Sequence, residues 1–209
     1  MRVSMGKLVL LLAIAFITFE SYAQFYNYGR NTDFSIELGG GMPIAITPEN
    51  SSKFGDNIKF ELGLRYLPET SDFGVRGYYA FANLSESGIE TSTKDDKLKM
   101  NRIELQVLYM LNDLLAISNH SIFELESYAG LGAAFGKPKG SPIVNKMIAT
   151  TIGLRPRVLI DDNRLHVYLD TSYGILINQL FDYSGKSIPD TGNNSGSMLH
   201  LSLGLSYRL

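Results

Sequence analysis

From residue 33 onward, apolar and polar residues alternate in eight separate stretches. Successive side chains of a strand point to opposite faces, so this period of two predicts strands with two unlike faces. In residues 33–44, Phe34, Ile36, Leu38 and Met42 oppose Ser35, Glu37, Gly39 and Gly41. In 57–67, Ile58, Phe60, Leu62, Leu64 and Tyr66 oppose Lys59, Glu61, Gly63 and Arg65. In 73–82, Phe73, Val75, Tyr79 and Phe81 oppose Arg76 and Tyr78. In 98–111, Ile103, Leu105, Val107 and Tyr109 oppose Arg102, Glu104 and Gln106.

The second half repeats the pattern. In 123–135, Phe123, Leu125, Ala129, Leu131, Ala133 and Phe135 oppose Glu124, Glu126, Tyr128, Gly130 and Gly132. In 147–158, Ile148, Ile152, Leu154 and Val158 oppose Thr151, Gly153, Arg155 and Arg157. In 165–175, Leu165, Val167, Leu169, Tyr173 and Ile175 oppose His166, Tyr168, Asp170 and Ser172. The last stretch, from about Ser197, ends in Leu201, Leu203, Leu205, Tyr207 and the terminal Leu209. Read as helices, these stretches would carry charge around their whole circumference.

The connections predict a meander. Residues 45–56, 83–96, 136–146 and 177–196 are polar and rich in Gly, Pro, Ser and Asn. The intervening ones, 68–72, 112–121 and 159–164, are tighter. Long loops then lie at one end of the sheet, and both termini lie with the short turns at the other.

Alternation alone fits a soluble barrel or sandwich with an apolar core, and equally a membrane barrel with its apolar face in lipid. Three features favour the membrane. Phe34, Tyr66, Phe73, Tyr109, Phe123 and Tyr207 fall on the apolar face at the short-turn end, and Phe81, Phe135 and Tyr173 toward the other end. Two aromatic bands around an aliphatic belt match the two interfaces of a bilayer. The polar face carries Glu37, Glu61, Glu104, Glu124, Glu126 and Asp170 against Lys59, Arg65, Arg76, Arg102, Arg155 and Arg157. Such pairing is what a filled interior needs, and Tyr78, Tyr128 and Tyr168 beside glycines suit a confined space. Finally, the stretches reach the roughly 9–11 residues that a tilted strand needs to cross.

The N-terminus supplies a route out of the cytoplasm. Arg2 and Lys7 precede an apolar core, Leu8 to Phe19, and Ser21-Tyr22-Ala23 offers small residues for cleavage before Gln24. This predicts a signal peptide over residues 1–23, a short N-terminal segment over 24–32 and a barrel domain over 33–209. The alternative is a membrane anchor, for which the run is short of the roughly 20 residues required.

These features together resemble the small outer-membrane β-barrels of the OmpA and OmpX type. The stretch "YAGLGAAF" is similar to the glycine-rich central strand of that group. The resemblance covers about residues 33–209. It implies an all-β, eight-stranded antiparallel up-and-down transmembrane β-barrel in the cell outer membrane. It also implies a last strand read by the barrel-assembly machinery, through Tyr207 and Leu209, although the family usually ends in phenylalanine.

Chemistry adds little. The chain has 209 residues, a formal charge of -2 and no cysteine, so nucleic acid and thiolate sites are not expected. His120, His166 and His200 lack metal-ligand spacing, and no cofactor or metal is expected. His200-Leu201-Ser202 has the spacing of a histidine–serine dyad. The sequence lacks the rest of that motif, and a lipid A-modifying hydrolase is the lesser reading. His166, near Tyr168 and Asp170, is expected to be part of an internal network. Eight strands leave room for side chains or one small ligand. The sequence thus predicts a plugged, non-catalytic barrel with outer-membrane lipid and an extracellular loop partner as contacts. A soluble periplasmic barrel carrying a small apolar ligand is the third reading.

Overall fold

The computed structural model describes residues 33–46, 57–69, 71–84, 98–117, 121–161, 164–181, 187 and 194–209. They form β1 (Asp33–Ile46), β2 (Ile58–Leu67), β3 (Phe73–Leu84), β4 (Leu98–Met110), β5 (Phe123–Pro138), β6 (Asn145–Asp161), β7 (Leu165–Ile177) and β8 (Ser195–Arg208). Each strand pairs antiparallel with the next, and β8 closes on β1. The fold is therefore a closed, eight-stranded antiparallel barrel without a free sheet edge. The expected signal peptide, the 24–32 segment and most of the long loops lie outside the described residues.

The register sets the tilt. From Ser35 the pairs run to Arg65, Arg76, Gln106, Gly130, Thr151, Gly174 and Met198. Met198 pairs with Ala45, so one circuit climbs β1 from Ser35 to Ala45. A stagger of that size tilts the strands by roughly 35–45° and leaves a narrow interior that side chains can fill.

Strands run longer than the alternation alone indicated. β5 continues through Gly136-Lys137-Pro138, paired with Met100, Lys99 and Leu98 of β4. The β5–β6 connection is accordingly confined to residues 139–144, whereas the β4–β5 connection, on the supposed short-turn side, spans 111–122. The expected alternation of loop length fails at this pair. The reason is that Pro138 terminates β5 without needing to donate a ladder hydrogen bond.

Pro156 lies inside β6, where every strand is central. The β6–β7 register passes from Leu154↔Thr171 to Arg157↔Tyr168 without a pair at Arg155 or Pro156. Proline lacks the N–H that the ladder would use. The register resumes unchanged, and the only irregularity beyond is a shift between Leu159 and Asp161.

The interior is layered. Charged and polar side chains fill its middle. At the loop end, Leu84, Leu98, Met100, Met147, Leu176 and Met198 form a buried apolar cluster with three alanines. Leu67, Leu108 and Met110 are buried near the opposite end. The alternation predicts an inward face that is polar throughout. Yet Met100 is in phase with Arg102, and Met147 with Gly153, so the same alternation held the signal for this apolar layer.

Candidate functional site: an ionic interior and an apolar outer face

Alternation places Glu37, Lys59, Glu61, Arg65, Arg76, Arg102, Glu104, Glu124, Glu126, Arg155, Arg157 and Asp170 inside the barrel, and the structure joins them in one network. All but the rim residue Glu124 are nearly inaccessible. At the terminal end, Arg65 pairs with Asp33 and, at 2.9 Å, with Glu126. Arg157 reaches Glu124 at 3.0 Å and Asp33 at 3.6 Å. Asp33 was not among the expected network residues, although it is in phase with Ser35 and Glu37. Arg208 adds a further contact to it at 3.5 Å.

At mid-height two carboxylates gather two guanidinium groups and a phenol. Glu37 Oε2 accepts from Arg155 at 2.7 Å and Arg76 at 3.2 Å. Asp170 Oδ2 accepts from Arg155 Nε at 3.0 Å, and its Oδ1 accepts from the Tyr128 hydroxyl at 2.7 Å. Above them Lys59 sits 2.7 Å from Glu61, which also receives the hydroxyls of Tyr78 and Tyr168, each at 3.1 Å. Glu104 accepts from Gln106 and Thr151, both at 2.8 Å, and lies 3.3 Å from Arg102.

The tyrosines are spacers as well as donors. Arg76 and Arg155 lie 4.7 and 5.5 Å from the Tyr128 ring centroid, and Arg155 lies 4.4 Å from that of Tyr168. Such cation–π contacts contribute most where water is excluded. Glycines make room for the rings: a Cβ at Gly153 would meet Tyr128 Cζ at 2.5 Å, and Tyr168 packs equally closely on Gly204. Removing so many charges from water costs several kcal/mol per ion, and this geometry offsets that cost because nearly every charge has more than one partner.

His200 and Ser202 also point into the barrel and are buried. His200 Nε2 is 2.9 Å from Arg102 Nη1. A guanidinium only donates, so Nε2 must accept and the ring proton resides on Nδ1. The ring therefore has no free basic nitrogen to offer Ser202, and neither side chain faces the outer surface. His166 is buried too, with Nε2 3.9 Å from Glu124. Among the described residues, no group of His, Asp and Glu side chains could hold a metal ion.

The outer face is the inverse of the inner one. Leu38, Phe60, Leu105, Leu131, Ile152 and Leu203 are each about 60% exposed or more. Of the expected aromatic band, Phe34, Tyr66, Phe73 and Tyr207 are exposed. Tyr109 is half-buried, its ring 4.8 Å from that of Phe73 and tilted by 40°. Phe123 departs from the expectation: it is only 7% exposed. It opens β5 where the β4–β5 connection folds back, with Asn112 bonding to Phe123 O and Leu125 N, and Leu159 N bonding to Ile122 O. Those ties hold Phe123 in the rim rather than on the open face. Leu209 closes the chain with its N–H on Phe34 O at 2.9 Å and its side chain exposed.

The same architecture is found in solved structures. Neisserial surface protein A is similar at TM-score 0.53 and 16% identity, over 84% of this chain and 97% of that one. Ail, the attachment invasion locus protein of Yersinia pestis, in complex with the heparin analogue sucrose octasulfate, is similar at TM-score 0.53 and 19% identity, over 86% and 99%. A major outer membrane protein from Thermus thermophilus is similar at TM-score 0.56 and 16% identity, over 85% and 99%. The fold is thus shared with eight-stranded outer-membrane barrels, as the sequence resemblance implied. No family profile and no curated protein matches the chain.

Proposed function

We propose that this protein is an integral outer-membrane β-barrel, closed by its ionic interior, that serves as a structural or surface-interaction scaffold without catalysis. The observation that carries this reading is the inversion of polarity. Charged side chains fill the lumen while a continuous aliphatic surface lies outside. A soluble carrier would need the opposite, an apolar lumen and a polar exterior. Lipid solvates such an exterior, and a closed barrel satisfies all backbone groups without water.

The lumen supports closure. Ion pairs, tyrosines and the apolar layer at the loop end occupy it, which favours a plugged barrel over an open pore. The buried, cation-facing His200 and the inward Ser202 favour a non-enzyme over a hydrolase acting on lipid A. The N-terminal 23 residues would direct export, and Tyr207 and Leu209 would carry the assembly signal. A partner at the outer surface would meet the loops.

Cell fractionation tests the reading. The mature protein is expected in the outer-membrane fraction, extractable only by detergent, with heat-modifiable gel migration. A freely soluble mature protein would overturn it. An altered lipid A mass spectrum on expression would restore the enzymatic alternative.

A further inference from the structure

The outer face of the strands is almost free of charge. Among the described strand side chains that point outward, charge is confined to Lys99, Lys137 and Lys146. Each is exposed and lies between two inward-facing residues: Lys99 between Leu98 and Met100, Lys137 between Gly136 and Pro138, Lys146 between Asn145 and Met147. They sit on three adjacent strands, all at the loop end.

Their register brings them together. Lys99 pairs directly with Lys137, and Lys146 pairs with Phe135, one diagonal step from Lys137. Directly opposed side chains are about 5 Å apart at Cβ and diagonal ones roughly 7–8 Å, and like charges placed so destabilise a sheet. An ordinary solvated face would intersperse carboxylates. Here the strand acids whose side chains are described face inward, and among the described residues no carboxylate pairs with any of the three lysines. Below them the surface turns apolar through Phe135, Ile148 and Leu131.

We propose that Lys99, Lys137 and Lys146 form a binding site for the phosphate groups of a phosphorylated outer-leaflet lipid. The inference rests on the membrane reading above. A lipid phosphate supplies an anion that the described residues do not, and its acyl chains continue down the apolar surface beneath. Lysine suits this role as a flexible point charge whose aliphatic stem can lie along apolar surface while the amine reaches the headgroup.

The test reconstitutes the full mature chain in phosphatidylcholine vesicles with or without added lipid A, reading the thermal unfolding midpoint and the lipid retained in native mass spectrometry. The wild type is expected to gain stability and retain lipid A. Lys99→Gln/Lys137→Gln/Lys146→Gln is expected to lose both effects, and the corresponding triple arginine variant to keep them. Heat-modifiable migration of every variant checks insertion, so the failure of this site is separable from failure of the membrane reading. Equal responses in wild type and the glutamine variant would overturn the proposal. So would a shift reproduced by soluble pyrophosphate without lipid A, or lysine-dependent binding of heparin in place of lipid A.

Discussion

Arg155 crosses from β6 to Asp170 on β7 at the point where Pro156 interrupts the backbone pairing of these strands. Its Nε lies 3.0 Å from Asp170 Oδ2, and the register on either side of the gap is unbroken. A side-chain ion pair therefore holds two strands together where the ladder cannot. Arg155 also bonds Glu37 at 2.7 Å, tying β6 to the strand across the lumen.

Asp170→Asn should destabilise the folded barrel by about 3–5 kcal/mol, because it leaves the Arg155 charge under-compensated in a dry interior. Urea unfolding in lipid vesicles, followed by heat-modifiable migration, measures this. Pro156→Val restores an N–H at the gap and should recover about 0.5–1.5 kcal/mol of it. Equal stability of Asp170→Asn and wild type would show that the pair does not hold the seam.

Gly153→Ala should cost about 1–3 kcal/mol, since the new methyl would press on the Tyr128 ring. Gly77→Ala is the control: a Cβ there meets nothing within 4 Å, and stability should not fall. The same unfolding assay separates the two. Similar losses at both positions would show that glycine acts here through the backbone and not through room for tyrosine.

A charge placed in the aliphatic belt should be costly in proportion to its depth. Leu105→Arg, in the middle of β4 on its outer face, should lose about 2–4 kcal/mol in bilayers. Lys99→Arg, on the same face at the loop end, should lose almost nothing. If Leu105→Arg folded as stably as wild type in vesicles, the belt would not be solvated by lipid.

Tyr207→Ala and deletion of Leu209 should reduce the amount of folded barrel in the outer membrane, with precursor accumulating in the periplasm. Refolding of the purified variants into detergent should change little. Pulse-chase labelling with heat-modifiable migration reads the difference. Normal insertion of both variants in cells would remove the assembly role from these residues.

The strands and their two faces were legible because a period of two records which side chains share a face, and a barrel makes that distinction along its whole length. The interior charge network followed from the same phase. What escaped had physical reasons. Asp33 opens β1, where a strand start and a loop residue look alike in sequence. The apolar inner layer around Met100 and Met198 was hidden because the polarity of the two faces changes near the loop end: Lys99 lies outside between inward Leu98 and Met100, while outward Leu199 neighbours inward Met198. Phe123 keeps the outward phase but is covered by a connection whose fold depends on Asn112, which periodicity cannot convey. The Lys99–Lys137 contact is a matter of register between strands, and a single strand's pattern carries no register.

The account's central claim is that the apolar face meets lipid and the charged face lines the lumen. The chain has no native cysteine, so single cysteines can be introduced and spin-labelled from Asn101 to Tyr109 in β4. In lipid bilayers, labels at Ile103, Leu105 and Val107 should collide with membrane-dissolved oxygen and be shielded from a water-soluble nickel chelate. Labels at Arg102, Glu104 and Gln106 should be immobile and shielded from oxygen. Nickel accessibility at Ile103, Leu105 and Val107 equal to that of a loop site would contradict the account.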